Sequence, residues 1–189
     1  RALGMTVVDL DNVPDDPAQI GSMLERAAKE ADCIVTAGGV SVGEEDHVRS
    51  QIEARGDLAL WKLAIKPGKP LAFGAVQGTP IFGLPGNPVA FMVSFLVFIQ
   101  PALRQMMGSQ KMPSPMVRAK TQEVLRKKVG RTEYLRGVVS KNAEGELQVI
   151  TTGNQGSGVL SSMVQANGLI VLSHHHPSAH HQSSGHVGI

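Results

Sequence analysis

The chain has 189 residues, of which 42% are hydrophobic and 18% charged, and a formal net charge of +2. These values are typical of a soluble globular protein with a sizeable core. A single cysteine excludes an internal disulfide framework and favours a reducing compartment, so we expect a cytoplasmic location. The longest apolar run, residues 88–99, is too short to cross a bilayer, and no membrane partner is expected.

Charge is divided unevenly along the chain. Residues 1–108 carry 9 Lys/Arg and 12 Asp/Glu, whereas residues 109–189 carry 9 Lys/Arg and 4 Glu. This shift predicts two domains. We expect an α/β domain at 1–108, a linker at 109–115, a small all-β domain at 116–173 and a disordered His-rich tail at 174–189.

The first part of the chain predicts a βαβ unit. Residues 5–10 and 33–36 are short apolar runs, and between them Asp16 and Pro17 are typical of a helix N-terminus. Apolar residues then recur at helical spacing, at Ile20, Met23, Leu24, Ala27 and Ala28. The run at 33–36 suits a strand that is buried on both faces, as in a parallel sheet. Residues 1–4 are typical of a helix end, so we expect the α/β domain to be incomplete at its N-terminus.

A Gly-rich loop follows the second of these strands. Its small residues are Gly38, Gly39, Ser41 and Gly43. Such a loop lets backbone N–H groups face a phosphate or another oxyanion. The acids at 44–46 follow directly, and a cation such as Mg²⁺ would reconcile them with a bound anion. The alternative is an ordinary strand-to-helix turn in which Asp46 caps the next helix.

Three lysines lie close together further along: Lys62, Lys66 and Lys69. Residues 58–66 predict a strand in which the first two lysines share one face, and the turn at 67–70 adds the third. The cluster indicates a multi-anionic ligand. For any single lysine, plain exposure to solvent is the alternative.

The α/β domain is predicted to end with two strands, at 71–76 and 80–84, and a long helix. Asn87 is typical of the helix N-cap. The helix, at 89–107, is apolar nearly all round, so we expect it to be buried, with a kink or break at Pro101.

The remainder predicts a β-domain. Strands are expected at 116–125, 132–140, 147–151 and 169–172, with a hairpin turn at 142–145. A second Gly-rich loop, 153–158, carries Ser157. Six of the seven histidines lie beyond residue 173 in a Pro/Ser/Gly setting, for which disorder is the expectation rather than a metal site.

The candidate site residues are expected to meet at one edge of the sheet. In doubly wound sheets, ligands bind beyond the carboxyl ends of the strands. Asp15, Asp46 and Lys66 each follow or end one of the predicted strands. We therefore expect the Gly-rich loop, the two aspartates and the lysines to converge on a single pocket.

Several stretches resemble the molybdopterin molybdenumtransferase family, the MoeA type to which the E domain of gephyrin is similar. In chain order they are residues 38–46 (GGVSVGEED), 61–70 (WKLAIKPGKP) and 83–89 (GLPGNPV), with further likeness at 131–137 and 152–157. The resemblance covers residues 1–172. It implies a molybdopterin-binding three-layer α/β domain followed by a small all-β, barrel-like domain.

The family activity implied is the insertion of molybdate into adenylylated molybdopterin, with release of AMP and a requirement for Mg²⁺. Asp15 and Asp46 match the family's functional aspartates and would hold the metal. Together with Lys62 and Lys66 they would form the catalytic set. The substrate-binding positions implied are Gly38, Gly39, Ser41, Gly43, Lys69, Pro85, Gly86, Asn87, Arg136 and Ser157.

The family also implies a homodimer, with molybdopterin adenylyltransferase as a further candidate partner. Three departures are expected. An upstream Thr-Gly-Asp-Glu loop with two N-terminal domains is missing, and Ala90 stands where many relatives have serine. The His-rich tail replaces the family's usual last strand.

Two other functions stay open. A molybdopterin adenylyltransferase shares the first domain's fold, but the stretch at 65–70 and the β-domain argue against it. A protein-interaction scaffold, as in gephyrin, is the alternative from another class. Nucleic-acid binding is not expected, because the basic cluster at 126–131 has no aromatic residues for base stacking.

Overall fold

The structure, a computed structural model, describes residues 3–38, 47–110, 116–174, 178–179 and 184–188. Its helices are α1 (Pro17–Glu30), α2 (His47–Glu53), α3 (Pro88–Ser94), α4 (Gln100–Met106) and α5 (Ser161–Gln165), with a π-helical turn at Phe95–Ile99. The strands of the first half are β1 (Ile34–Ala37), β2 (Gly56–Lys62), β3 (Ile65–Lys66), β4 (Pro70–Val76) and β5 (Thr79–Leu84). Those of the second half are β6 (Met116–Thr121), β7 (Leu125–Arg126), β8 (Thr132–Lys141), β9 (Leu147–Thr151), β10 (Gly168–Leu172), β11 (Ser178–Ala179) and β12 (Ser184–Gly188).

The first half is a three-layer α/β unit. Its sheet has the order β1-β5-β4-β2 and carries helices on both faces. Neighbouring residues of β5 point to opposite faces, so Ile81 packs with Ile20 and Leu24 of α1, whereas Phe82 packs with Ile99 on the other side. The predicted three-layer α/β architecture is therefore confirmed.

Helix α1 begins as the sequence predicts. Asp16 is the N-cap, since its side chain accepts a hydrogen bond of 2.8 Å from the backbone N–H of Gln19, and Pro17 follows. Asn87 caps α3 in the same way, accepting from the N–H of Ala90 at 3.1 Å. These two predictions depended on contacts within a few residues.

The predicted βαβ unit is wrong. Residues 5–10 form no strand, because no described strand offers them backbone hydrogen bonds, and Val7 and Val8 are exposed. The sheet is mixed, with β1 and β5 parallel and β4 antiparallel to both β5 and β2. Strand β1 is not buried on both faces either, since Val35 is exposed.

The long helix is half-buried, so the prediction that it is buried all round is wrong. Val93 and Ile99 are fully buried, whereas Met92 and Leu96 are exposed. The irregularity expected at Pro101 is the π-helical turn at Phe95–Ile99, which directly precedes α4. Pro101 then lies in the first turn of α4, where its lack of an N–H donor is tolerated. Residues 88–106 are long and apolar enough to cross a membrane, a test that core helices of globular proteins also pass.

The second half closes into a ring of strands. Its sheet runs β10-β12-β6-β9-β8, and β8 pairs with β10 to complete the ring. The hairpin turn between β8 and β9 is confirmed, with Asn142 Oδ1 accepting from the N–H groups of Glu144 and Glu146. The core contains Val149, Ile170 and Val187.

One pair of strands connects the two halves. The predicted strand at 58–66 is in fact two strands that belong to different sheets. Strand β2 ends at Lys62 in the first sheet, and β3 pairs in parallel with β8, matching Ile65 with Thr132 and Lys66 with Glu133. Lys62 and Lys66 therefore do not share one strand face as predicted.

The tail contributes to the core, contrary to the expectation of disorder at 174–189. Strand β12 lies between β10 and β6, and Val187 is fully buried. Sequence composition missed it because the residue types of the tail do not reveal its pairing with β10 and β6. The remaining tail residues, apart from 174 and 178–179, lie outside the described part.

Burial of Val187 gives a stability test. Val187→Ala removes two methyl groups from the ring core and should lower the free energy of unfolding by about 2 kcal/mol. Val164→Ala is the matched control, because Val164 is 82% exposed and its truncation should change stability by less than about 0.5 kcal/mol. Urea unfolding measures both, and equal stabilities of the two variants would contradict a structural role for the tail.

Candidate functional site

A pocket of about 580 Å³ lies between the two sheets, and we call it the interface pocket. Four short segments line it: residues 66–70, the connection from Pro85 to Ala90, residues 134–136 of β8 and the loop at 155–157. Six of the predicted site residues lie here, namely Lys66, Lys69, Pro85, Asn87, Arg136 and Ser157.

The interface pocket is positively charged. Lys66, Lys69 and Arg136 line it, and no described lining residue carries a carboxylate. Both lysines are exposed, and the Ser157 hydroxyl and the amides of Gln155 and Asn87 add neutral polar groups. Cations and hydrogen-bond donors without carboxylates favour an oxyanion ligand.

Arg136 supplies a buried charge to this pocket. Its side chain is 1% exposed, and the guanidinium donates from Nε to Ser162 Oγ at 2.9 Å and from Nη2 to the Gly156 carbonyl at 3.1 Å. Burial lowers its pKa, although a guanidinium stays charged at neutral pH. Both acceptors are neutral, so the positive charge is not cancelled by an ion pair within the described residues.

Gln155 fixes the backbone of Arg136. Its Oε1 accepts from the Arg136 N–H at 2.8 Å, and its Nε2 donates to the Arg136 carbonyl at 3.2 Å. The loop that carries Ser157 is thereby attached to β8. Asn87 is also committed in part, since Oδ1 caps α3 and only its Nδ2 group can donate to a ligand.

A second pocket, of about 940 Å³, lies beside β1, and we call it the β1 pocket. It is acidic, because Asp9, Asp11, Asp15 and Glu30 line it without any described Lys or Arg. Thr36 also lines it, and its hydroxyl is buried without a hydrogen-bond partner among the described residues. Burial, with a smaller contribution from Asp32, raises the pKa of the Cys33 thiol there, so this cysteine is not an activated nucleophile.

The described site residues, apart from Lys62, thus fall into or beside two adjoining pockets instead of one. Gly38 lines the β1 pocket, and its N–H donates to the Leu84 carbonyl at 2.9 Å. Gly86 stands between two lining residues of the interface pocket, and a Cβ on Gly86 would lie 3.6 Å from the Gly38 Cα. The two glycines let the loops approach closely at the boundary between the pockets.

One described residue of the predicted site, Lys62, is not brought into either pocket. Lys62 is exposed at the end of β2, opposite Pro70 in β4, and lines neither pocket. Gly39, Ser41, Gly43 and Asp46 lie outside the described residues. The Mg²⁺ site predicted from Asp15 and Asp46 therefore stays a prediction.

The chemistry of the available donors fits such a metal only in part. Asp15 is an exposed carboxylate of the kind that Mg²⁺ prefers. Within the described ranges, no group of three acidic, His or Cys residues is close enough to hold a metal ion. A metal at this pocket would need further oxygen ligands.

Sequence reasoning missed several residues of the interface pocket. Tyr134, Leu135 and Gln155 line it, and Glu133 pairs with Lys66 just behind it. Glu133 and Tyr134 belong to the stretch at 131–137 that carried the resemblance, but only the pairing of β8 with β3 gives Glu133 its neighbours.

Family profiles match both halves of the chain. Residues 1–105 match a profile described as "Probable molybdopterin binding domain", and residues 118–180 match "MoeA C-terminal region (domain IV)". The interface pocket takes its lining residues from both matched regions.

The curated proteins that this chain is similar to include molybdopterin molybdenumtransferases and a gephyrin. The chain is 40% identical over 167 residues to a molybdopterin molybdenumtransferase of Haemophilus influenzae, covering 88% of this chain and 41% of that protein. It is 38% identical to molybdopterin molybdenumtransferase 2 of Mycobacterium tuberculosis, covering 90% and 43%, and 32% identical to gephyrin of Dictyostelium discoideum, covering 87% and 26%. The chain therefore spans less than half the length of these relatives.

Solved structures show the same fold. A molybdopterin biosynthesis MoeA protein of Pyrococcus horikoshii aligns with a TM-score of 0.73 at 26% identity, covering 96% of this chain and 41% of that one. A molybdenum cofactor biosynthesis protein of Pyrococcus furiosus aligns with a TM-score of 0.68 at 27% identity, covering 93% and 55%.

The turn between Lys66 and Lys69 should depend on a glycine. Gly68 has a φ of +102°, and a Cβ there would overlap the hydroxyl of Ser94, which is fully buried. Gly68→Ala should therefore lower the free energy of unfolding by about 2–3 kcal/mol, as measured by urea unfolding.

Gly78→Ala is the matched control, because Gly78 has a φ of +84° with nothing near its missing Cβ. It should lower the free energy of unfolding by only about 1 kcal/mol, the cost of the backbone conformation. Adding Ser94→Ala to Gly68→Ala should recover part of the difference. Equal losses in the two glycine variants would show that the overlap does not matter.

Proposed function

Because the chain belongs to the MoeA family of molybdopterin molybdenumtransferases, we propose that it inserts molybdenum into molybdopterin during molybdenum cofactor biosynthesis. We further propose adenylylated molybdopterin and molybdate as its substrates, AMP as a product and Mg²⁺ as the metal. The homodimer, the adenylyltransferase partner and the cytoplasmic location stay predictions.

The main support is the charge of the interface pocket. Molybdate is a tetrahedral dianion, and the pterin substrate carries phosphates. Lys66, Lys69 and Arg136 offer three positive charges to such groups, from segments of both family regions. A pocket without a lining carboxylate avoids repulsion of these anions.

The residues of this pocket have separate tasks in the proposal. Lys66 and Lys69 are exposed and can move onto an oxyanion, where they hold molybdate near the pterin. Arg136 is fixed by its two hydrogen bonds and contributes a charge that does not move. Ser157, on the loop that Gln155 attaches to β8, can donate a hydroxyl hydrogen bond.

The β1 pocket has the opposite charge and adjoins the first pocket at Gly38 and Gly86. Its carboxylates would repel phosphate unless a cation lies between them. Asp15 would supply one ligand to Mg²⁺, which, when bound, would stabilise charge that develops on the departing phosphate.

Binding of molybdate should depend on Lys69. Lys69→Gln removes one positive charge from the interface pocket and should weaken molybdate binding at least about five-fold, the loss expected for a pair of unit charges in water at about 4 Å. Isothermal titration calorimetry of the chain with molybdate measures this. Lys141→Gln removes the same charge at the end of β8 and should leave the affinity unchanged. Equal effects of the two variants would contradict a local anion site.

Turnover separates this function from other roles of a pterin-binding protein. With adenylylated molybdopterin and molybdate, AMP should be released when Mg²⁺ is added and not when the metal is removed by EDTA. Asp15→Asn should reduce the Mg²⁺-dependent rate at least ten-fold, because one carboxylate ligand is lost. AMP release that does not depend on molybdate, or ATP-dependent adenylylation of the pterin, would overturn the proposal.

A further inference from the structure

Glu133 is a buried carboxylate shared by two cations. Its side chain is 3% exposed, and Oε1 lies 2.9 Å from Arg131 Nε while Oε2 lies 3.5 Å from Lys66 Nζ. A buried carboxylate is costly to leave without a counter-charge, so both contacts matter for the folded state.

The two contacts differ in strength. The Arg131 contact has the length of a charge-assisted hydrogen bond, whereas the Lys66 contact is at the outer limit for one. Arg131 lies two residues before Glu133, just ahead of β8, so its pairing does not depend on β3. Lys66 comes from β3, which the register with β8 places directly opposite Glu133.

Lys66 faces both the carboxylate and the pocket. Its side chain is 50% exposed and lines the interface pocket, whereas Glu133 does not line it. The Lys66 ammonium thus has a weak contact with Glu133 on one side and is accessible to a ligand in the interface pocket on the other. An oxyanion in the pocket would compete with Glu133 for the same three N–H donors.

We propose that Glu133 is a positioning residue that holds the Lys66 ammonium at the pocket until an oxyanion takes it over, while Arg131 remains as the counter-ion of Glu133. The exchange rests on the proposed function, because that function supplies the oxyanion. Lys66 is then oriented before the ligand arrives, and its transfer leaves no uncompensated charge in the interior. The carboxylate also weakens the pocket's affinity, since the ligand must displace it.

The holding of Lys66 can be tested without any ligand. Trace acetylation with acetic anhydride, read by mass spectrometry, reports how freely each lysine amine reacts. In Glu133→Gln the labelling of Lys66 should rise about two- to five-fold relative to wild type, the range expected for loss of a weak ion pair whose lysine is half exposed. In Arg131→Gln it should fall, because Lys66 becomes the nearest counter-ion of Glu133.

Glu146→Gln is the matched control for this measurement. Glu146 pairs with Lys120 at 2.8 Å on the surface of the ring, so labelling of Lys120 should rise in this variant and labelling of Lys66 should not. Unchanged labelling of Lys66 in both Glu133→Gln and Arg131→Gln overturns the inference. The use of two variants keeps the test decisive if one of them fails to fold, which circular dichroism detects.

The exchange itself is tested by molybdate calorimetry in a double-mutant cycle. Glu133→Gln should tighten molybdate binding about two- to five-fold in the parent chain and leave it unchanged in a Lys66→Met background. A general field effect of the lost carboxylate would persist in both backgrounds and would overturn the inference. Absence of molybdate binding by the wild type would overturn the proposed function and the exchange with it, whereas the labelling result would still show whether Glu133 holds Lys66.

Discussion

The parallel pairing of β3 with β8 is the contact on which the candidate site depends. Only two residues of β3 take part, and the hydrogen bond from Thr132 N–H to the Ala64 carbonyl, at 2.8 Å, extends the pairing by one residue. It places the turn with Lys66 and Lys69 against the start of β8, where Lys66 lies opposite Glu133, three residues before Arg136. The interface pocket forms because these segments, far apart in the chain, are brought together.

Opposite charges on adjoining pockets form the second constraint. The interface pocket carries three cations, and the β1 pocket carries carboxylates. The loops that carry Gly38 and Gly86 lie between them, in van der Waals range of each other. A ligand that extends across this boundary would experience a steep change in potential, which orients a molecule whose ends differ in charge.

Local signals in the sequence were sufficient for much of the fold. Asp16 and Asn87 cap their helices through side chains three residues from their partners, and Asn142 forms its turn in the same way. Predictions failed where pairing is distant. Residues 5–10 have strand-like composition but no described partner, and Ser184–Gly188 looks unstructured by composition yet fills a place between two strands. For the site, residue types and resemblance identified Lys66 and Arg136, but Glu133 becomes visible only through the register of β8 with β3.

Residues 56–70 contribute strands to both sheets, and this limits where the chain can be cut into independent domains. Strand β2 belongs to one sheet and β3 to the other, with two residues between them. Recombination at the apparent boundary near residue 110 would separate β3 from the strand that it pairs with, although both halves would keep their own cores. Another β-domain could therefore replace the ring of strands only if it offered a strand edge that pairs with β3. We expect the two halves of the chain to be inherited together.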